Sequence, residues 1–336
     1  MSDPGRPDRS PWRIHLVKRL VTTCLIVLAG LATATVSHAQ LGGTGASLNI
    51  QPGGRQNGMG AAGVAVADDA TGATWWNPAG LGFTQKASVM LTWAQLVPGL
   101  ADDVSYNYLT YVQPVEGWGA FGVGVIFLPY GESIGTDQSG AETGVFTSNE
   151  FSPALYYGTQ ILPDLAVGAS LKYVRLQYAP DSQRGVGSTF AFDFAGLYRI
   201  PAAKLNLGMN LQNMGPSVTF VNEDQASPLS RNIKVGFGWE AYATDQFAIL
   251  LAGDFNQSLV PGSNNLKTYH GGAELTVGRQ LAGRIGYYSD PVGDIEDLTF
   301  GIGLRWERLL LDFASIPQAK DSGLDNVKKI TLGFTF

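Results

Sequence analysis

Cysteine is almost absent from this sequence of 336 residues, which contains only Cys24. Residues 1–19 are polar and basic, residues 20–36 are apolar or small, and the stretch ends at Ala39, which is typical of a cleaved export signal. The apolar run is short for a membrane-spanning helix, which needs about 20 apolar residues; a retained anchor helix is the alternative. Cleavage after residue 39 would remove Cys24, which excludes disulfides, thiolate nucleophiles and cysteine-based metal sites from the mature chain.

Basic residues and histidine are scarce as well. Without residues 1–39, the 22 Lys and Arg fall by five to 17, the 28 Asp and Glu fall by two to 26, and His270 is the one histidine left. Nucleic-acid binding needs clustered Lys and Arg against the phosphates, so this acidic balance argues against it. One imidazole cannot build a histidine-based zinc site, and we expect neither a metal nor a cofactor. A lipid-modifying enzyme that uses His270 with a serine and an acid is an alternative, although no spacing supports it.

Charge is low overall, and long apolar runs are missing beyond the export signal. Charged residues make up 15% of the chain, against roughly 25% in typical soluble proteins. After residue 40, no apolar run approaches the length of a helical membrane span. A transmembrane β-barrel has this composition, because its apolar residues occupy alternate positions that face the lipid. A secreted β-sandwich is the alternative that composition leaves open.

Alternation of apolar with small or polar residues is the main pattern that is present. In residues 233–241, five apolar side chains alternate with Lys234, Glu240 and two glycines, and residues 165–173 and 298–306 repeat the pattern. Successive side chains of a strand point to opposite faces, so each segment has one apolar face. The other face is mostly Gly, Ala and Ser with a few charges, which suits the interior of a barrel.

Fourteen segments are predicted to be strands, which fits the even strand number of bacterial outer-membrane barrels. They lie at residues 87–95, 103–113, 118–128, 146–160, 164–177, 187–199, 204–213, 231–242, 246–256, 268–278, 280–288, 297–306, 308–315 and 327–336.

The connections between these segments alternate in length. Every second one is tight, as at residues 115–117 and 243–244, whereas those between are longer, as at residues 129–145, 214–230 and 316–326. Short periplasmic turns alternating with longer outer loops are typical of these barrels. The alternation predicts that both ends of the barrel lie on the periplasmic side.

The last predicted strand, residues 330–336, has four apolar residues on one face and ends in Phe336. A terminal aromatic residue on such a strand resembles the recognition signal of the outer-membrane assembly machinery. We therefore expect outer-membrane lipid and this machinery among the partners.

Residues 40–86 do not alternate and are rich in Gly and Ala. They are predicted to pack inside the barrel as a plug. The predicted organisation is a signal peptide at 1–39, a plug or hatch at 40–86 and an all-β, 14-stranded antiparallel transmembrane barrel at 87–336.

Within this block, three motifs resemble the N-terminal signature of the PorV/PorQ family, a branch of the FadL-type outer-membrane barrels. They are Gly58-Met59-Gly60, Val66-Ala67-Asp68-Asp69-Ala70 and Trp76-Asn77-Pro78-Ala79-Gly80-Leu81. The resemblance implies a FadL-like barrel of fourteen strands with an N-terminal hatch. It also implies two functions without catalysis: an accessory role in type IX secretion, with cargo proteins or secretion components as partners, or uptake of fatty acids or other hydrophobic small molecules.

Two sets of candidate site residues follow. The plug motif comprises Asp68, Asp69, Trp76, Asn77, Pro78 and Ala79, which either seat the hatch or simply form a turn capped by the Asn side chain.

The second set consists of charges on the predicted inward face: Lys172, Lys234, Arg284, Arg305, Asp193, Glu240, Glu274 and Asp254. They form either ion pairs that hold the plug or a ladder that binds a carboxylate head group. If one of these Arg or Lys side chains faced lipid at mid-membrane instead, the barrel would be destabilised by ~2–4 kcal/mol.

Overall fold

The computed structural model describes residues 42–136, 139–180, 185–220, 226–263, 266–319 and 322–336. The predicted signal peptide, residues 1–39, lies outside the described residues. No described helix is long and apolar enough to cross a membrane.

Fourteen strands account for most of residues 88–335. They are β1 (Ser88–Gln95), β2 (Ser105–Val115), β3 (Gly119–Thr136), β4 (Glu142–Leu162), β5 (Leu165–Gln177), β6 (Val186–Ile200), β7 (Leu205–Met214), β8 (Asn232–Ala243), β9 (Phe247–Ser258), β10 (Lys267–Val277), β11 (Leu281–Asp290), β12 (Ile295–Trp306), β13 (Leu309–Ile316) and β14 (Val327–Thr335).

Each strand pairs antiparallel with the next, and β1 pairs with β14 in a register that runs from Ser88–Thr335 to Gln95–Lys328. The sheet is therefore closed: within the barrel each strand is paired on both sides, and among the described residues the part of the β3–β4 hairpin beyond Tyr130 and Asn149 has free edges. The predicted 14-stranded antiparallel barrel is confirmed, and the sandwich alternative is wrong.

Side chains alternate across the barrel wall as predicted. In β6, Phe190, Phe192 and Phe194 are exposed on the outside, whereas Ala191 and Asp193 are buried inside. The exposed aromatic and aliphatic side chains cover the outer surface of the barrel. In a membrane, this surface contacts the apolar lipid chains.

The connection between β3 and β4 differs from the prediction. The sequence predicts a loop at residues 129–145, and this is wrong, because β3 continues to Thr136 and β4 begins at Glu142. Their register shifts between Pro129 and Glu132 and then resumes, with Ile134 opposite Val145. Residues that suggest a turn in the sequence thus sit in a β-bulge, which bends a strand without ending it.

Residues 42–86, called the N-terminal segment below, contain four short helices. These are a 3₁₀ helix at Ala46–Leu48, an α-helix (α1) at Gly54–Gly58, a π-helix at Gly72–Trp76 and a 3₁₀ helix at Pro78–Phe83. A further 3₁₀ turn, Pro201–Ala203, connects β6 to β7.

The apolar core lies inside the barrel and includes part of the N-terminal segment. Trp75 and Trp76 are completely buried, and they belong to the same cluster as the inward-facing Tyr106 and Tyr108 of β2. Outer-membrane barrels commonly have polar interiors; here aromatic side chains of the segment contribute an apolar centre.

Candidate functional site

The N-terminal segment passes through the barrel from one end to the other. Near its start, Thr44 forms a parallel bridge with Leu229 in the connection between β7 and β8, and its N–H donates to the carbonyl of Pro228 over 2.7 Å. At its other end it leads into β1, whose first residue is Ser88. Because the β7–β8 connection and the start of β1 lie at opposite ends of an alternating barrel, the segment runs the length of the lumen.

The middle of the segment fills the lumen closely. Every residue from Gln51 to Leu81 is buried except Asp68 and Asp69. Trp76 is fixed by a 2.9 Å hydrogen bond from its indole N–H to the carbonyl of Pro52.

On one side, the segment contacts the barrel through charges. The guanidinium of Arg55 donates two hydrogen bonds of 2.9 Å to the carboxylate of Glu274 on β10. Glu274 also accepts from Nε of Arg284 over 2.6 Å, and Nη1 of Arg284 donates to Asp312 over 2.5 Å. Arg55, Glu274, Arg284 and Asp312, called the charged contact below, are all at least nine-tenths buried.

Two acidic residues of the plug motif extend this contact within the segment itself. Asp68 accepts from Nη1 of Arg55 over 2.5 Å, and Asp69 accepts from the amide of Gln56 over 2.9 Å. Burial raises the pKa of the Asp69 carboxyl above its ordinary value, and the nearby Arg55 guanidinium opposes that shift. The two carboxylates therefore tie the turn after residue 67 to α1.

On the opposite side, the segment contacts the barrel through neutral groups. The amide of Asn77 donates to the carbonyls of Val64 and Gly196, over 2.7 and 3.1 Å, and its oxygen accepts from the N–H of Ala79 over 3.0 Å. The last bond caps the 3₁₀ helix that begins at Pro78, as the structural alternative for this motif expects.

Glycines on the wall make this approach possible. Gly158 of β4 and Gly168 of β5 are opposite each other, and a Cβ on either would lie within 2.4 Å of backbone atoms of Pro78. No side chain fits there. Gly158, Gly168 and the stretch Asn77–Ala79 are called the neutral contact below.

Other predicted inward charges lie in the lumen with separate partners. Lys172 forms an ion pair of 2.8 Å with Asp193 and also donates to Asn213. Lys234 lies near the rings of Trp75 and Trp76, with Nζ 5.4 and 5.6 Å from their centroids.

Backbone groups of the segment satisfy two further polar side chains of the wall. One carboxylate oxygen of Asp254 accepts from the N–H groups of Gly63 and Val64, over 2.7 and 2.8 Å. His270 uses both ring nitrogens, one with Thr268 at 2.7 Å and one with the carbonyl of Gly60 at 2.8 Å.

Two predicted lumenal charges lie elsewhere. Glu240 is partly exposed near the end of the barrel at which β1 begins, where it forms an ion pair of 2.6 Å with Lys204. Arg305 is exposed near the end of β12. Both share the inward face of their strands, but they lie beyond the part of the lumen that the segment fills, so solvent reaches them.

The sequence reasoning missed four residues that contact the segment or its wall. Arg55 and Asp312 complete the charged contact, Glu150 accepts from the N–H of Ser47 over 2.9 Å, and Lys329 donates to Asn57 over 3.0 Å. The strand residues among them occupy inward positions of alternating segments, so the same pattern analysis could have found them. Arg55 carries no such signal.

Among the described residues, no group of His, Asp or Glu is arranged to hold a metal ion. What the arrangement does is mechanical: it fixes a peptide segment across the lumen through hydrogen bonds, ion pairs and close packing.

Comparisons with known proteins agree with this architecture. The chain matches the family model described as type IX secretion system protein PorV over residues 38–265, which is more than half of its length. No curated protein sequence matches the chain.

Solved structures of several channels share the fold. The toluene transporter TbuX of Ralstonia pickettii is 14% identical, with a TM-score of 0.58 over 86% of this chain and 99% of that one. The toluene transporter TodX of Pseudomonas putida is also 14% identical, with a TM-score of 0.54 over 89% and 99%. The monoaromatic hydrocarbon channel CymD is 14% identical, with a TM-score of 0.51 over 85% and 98%.

At these identities, the likeness to solved structures shows the fold alone, and the family match adds the lineage. The chain belongs to the PorV family of type IX secretion system proteins and has the fold of a FadL-type outer-membrane barrel.

Proposed function

We propose that this protein is an outer-membrane component of type IX protein secretion that binds secreted proteins or secretion components and performs no catalysis. The observation that carries the proposal is the family match, which spans the N-terminal segment and the barrel as far as β9. Transport and secretion proteins act through binding surfaces, so the surfaces of the barrel are where the function has to be sought.

In this proposal the N-terminal segment is a plug. Its support is the nearly complete burial of residues 51–81, together with contacts to opposite sides of the wall. A lumen filled in this way favours binding of a partner at the outer surface over free diffusion through the barrel.

The partner surface that we propose is the protruding β3–β4 hairpin. β4 has 21 residues, whereas a transmembrane strand needs about 9–11, so the hairpin extends well beyond the membrane. Near its tip, Ile134 and Val145 are paired across the strands and are 61% and 64% exposed. An exposed apolar pair outside the lipid region is suited to contact with another protein.

Uptake of hydrophobic small molecules is the second candidate. It is supported by the fold that the chain shares with toluene and hydrocarbon channels. In that case the N-terminal segment has to move or open, because an apolar molecule would otherwise meet Trp75, Trp76 and the charges around them.

A lipid-modifying enzyme based on His270 has less support. Both ring nitrogens of His270 are engaged by Thr268 and by the backbone of the segment, so neither is directed at a serine hydroxyl. A His270→Ala variant with an unchanged phenotype would remove this alternative.

Biogenesis of the protein is part of the proposal. We infer that residues 1–39 direct export and are cleaved, and that the outer-membrane assembly machinery recognises β14 and Phe336. N-terminal sequencing of the protein purified from outer membranes would test the cleavage after Ala39.

The experiment that tests the proposed function is affinity purification from detergent-solubilised outer membranes, followed by mass spectrometry of proteins and lipids. Secretion components or cargo proteins in the eluate, together with loss of extracellular cargo in a strain that lacks the protein, are the expected result. A bound apolar small molecule without any protein partner would instead favour the uptake channel.

The hairpin is tested in the same experiment with a matched pair of variants. Replacing Ile134 and Val145 by Ser should reduce the recovery of the partner, whereas replacing the exposed neighbours Ser133 and Thr147 by Ala should not. Equal recovery with both double variants would exclude the hairpin as the partner surface.

A further inference from the structure

The periplasmic end of the lumen contains a cavity of about 540 Å³. It lies between the end of the N-terminal segment and the ends of β6, β12, β13 and β14. We call it the periplasmic vestibule; its charged residues are Asp68, Asp69, Lys86, Arg199, Arg305, Glu307 and Arg308.

The cations of the vestibule lack ion-pair partners. Among the described residues, none of Lys86, Arg199, Arg305 and Arg308 lies within ion-pair distance of a carboxylate. Elsewhere at the same end of the barrel, Lys204 is paired with Glu240 at 2.6 Å. Four unpaired cations thus line one opening of a chain whose net charge is −6.

Arg199 is held in position by a neighbour from the segment. Its guanidinium carbon lies 3.7 Å from the centre of the Phe83 ring, an arrangement that orients the planar group by stacking. Its Nε is buried and has no hydrogen-bond partner. A buried donor left unpaired is costly, and an acceptor supplied by a ligand would remove that cost.

We propose that the periplasmic vestibule binds an acidic peptide segment of a periplasmic protein. Arg199 comes from β6, whereas Arg305 and Arg308 come from the β12–β13 end, and these strands lie far apart around the barrel. A single phosphate cannot reach both sides. A peptide with several carboxylates can, and its backbone N–H groups can donate to Asp68 and Glu307.

The position of the vestibule favours a peptide over a lipid. The vestibule lies inside the barrel mouth, and the exposed carboxylate of Asp68 is part of its lining. The apolar groove of Leu91, Leu304 and Leu311 lies on the lipid-facing side of the wall. Acyl chains would have to leave that groove and cross a charged rim to enter.

A ligand bound in the periplasmic vestibule would also affect the N-terminal segment. Asp68 lines the vestibule and is also bonded to Arg55 of the charged contact. This inference does not depend on the secretion role, since it requires only that this end of the barrel faces the periplasm.

Fluorescence anisotropy with the full-length mature protein in detergent tests the proposal. The probe is a labelled peptide rich in Asp and Glu, and its partner probe has Asn and Gln at the same positions. The protein should bind the acidic probe and not the amide probe, and binding should weaken as salt is added, because salt screens exposed charges.

Variants identify the site. Replacing Arg199, Arg305 and Arg308 together by Gln should weaken binding of the acidic probe by at least about tenfold, since several charge-assisted hydrogen bonds are lost. Lys204→Gln, at the same end but outside the vestibule, should bind as the wild type does. Replacing the three arginines by Lys should restore most of the affinity, which a merely structural role would not predict.

Several outcomes would overturn the proposal. They are equal binding of the acidic and amide probes, or wild-type affinity of the triple Gln variant. Arginine-dependent binding to vesicles containing phosphatidylglycerol, without binding of the peptide, would assign the vestibule to lipid instead.

The heat-dependent shift of the barrel in gel electrophoresis shows for each variant that it is folded. Failure of this test leaves the pull-down of secretion components unaffected, so the two proposals fail separately.

Discussion

The N-terminal segment is held differently on its two sides. Toward β10–β13, Arg55 reaches Glu274, which is bonded in turn to Arg284. Toward β4–β6, the contact is made by Asn77 and by glycines that let backbone approach backbone. Buried charges depend on every partner being present, because an unpaired one is poorly solvated. Close-packed neutral contacts depend instead on shape, so they tolerate loss of a bond better than added volume.

This difference suggests a division of roles. The charged contact contributes interactions that are lost together when one member is removed, and the neutral contact fixes where the segment lies. The following variants test that division, from the largest expected effect on the free energy of unfolding to the smallest.

Removal of one charge from the charged contact should have the largest effect. In Arg284→Met, Glu274 loses one of its two partners and Asp312 loses the donor that binds it. Breaking a buried ion pair in this way lowers the free energy of unfolding by about 3–5 kcal/mol. Urea unfolding in lipid vesicles, followed by tryptophan fluorescence, measures it. Arg305→Met is the control, because Arg305 is exposed and unpaired; equal losses in both variants would contradict the assignment.

Added volume at the neutral contact should have the next largest effect. In Gly168→Val, the new Cβ would lie 2.2 Å from a backbone atom of Pro78, so the segment has to shift, at a cost of about 1–3 kcal/mol. We also expect ion conductance in planar bilayers to rise, because the displaced segment no longer fills the lumen.

Gly196→Val provides the control for volume. A Cβ at Gly196 meets no atom within 4 Å, so stability and conductance should stay as in the wild type. If Gly168→Val conducts no more than Gly196→Val, the neutral contact does not position the segment.

Loss of hydrogen bonds at the neutral contact should be milder. Asn77→Ala removes the bonds to Val64 and Gly196 as well as the cap on Ala79. The expected loss is about 1–2 kcal/mol, typical of an N-cap residue. Asn206→Ala, which removes a single long bond of 3.4 Å to Ala65, should cost less in the same unfolding experiment.

The exposed ion pair at the end of the barrel where β1 begins should matter least. Lys204→Gln breaks the ion pair with Glu240, in which both side chains are about half exposed. Solvent screens such a pair, so the change should be about 0–1 kcal/mol. A larger loss would show that this end of the barrel contributes to stability as strongly as the interior.

Much of the barrel could be predicted from local pattern. Alternation has a period of two residues, and it can be read within one strand; the predicted and observed strands agree to within two residues except at β3 and β4. The error there has a local cause as well. Pro129 and Gly131 indicate a turn. In the structure, however, β3 is paired with β4 on both sides of these residues, which lie in a β-bulge.

The candidate site could be predicted in part. Alternation predicts that four charged side chains point into the barrel, and all four are buried there: Glu274, Arg284, Lys172 and Asp193. The same pattern included Arg305, and it could not tell the middle of a strand from its solvated end.

Local sequence patterns predict most of the strands, the faces of those strands and the family motifs of the N-terminal segment, because each of these is encoded in neighbouring residues. Which groups meet is set by the folded structure alone. Arg55 and Glu274 are separated by 219 residues along the chain, and Gly168 is close to Pro78 only because the segment turns back against β5. Such contacts depend on strand register and barrel closure, which bring distant parts of the chain together. They produce no periodic pattern in the sequence.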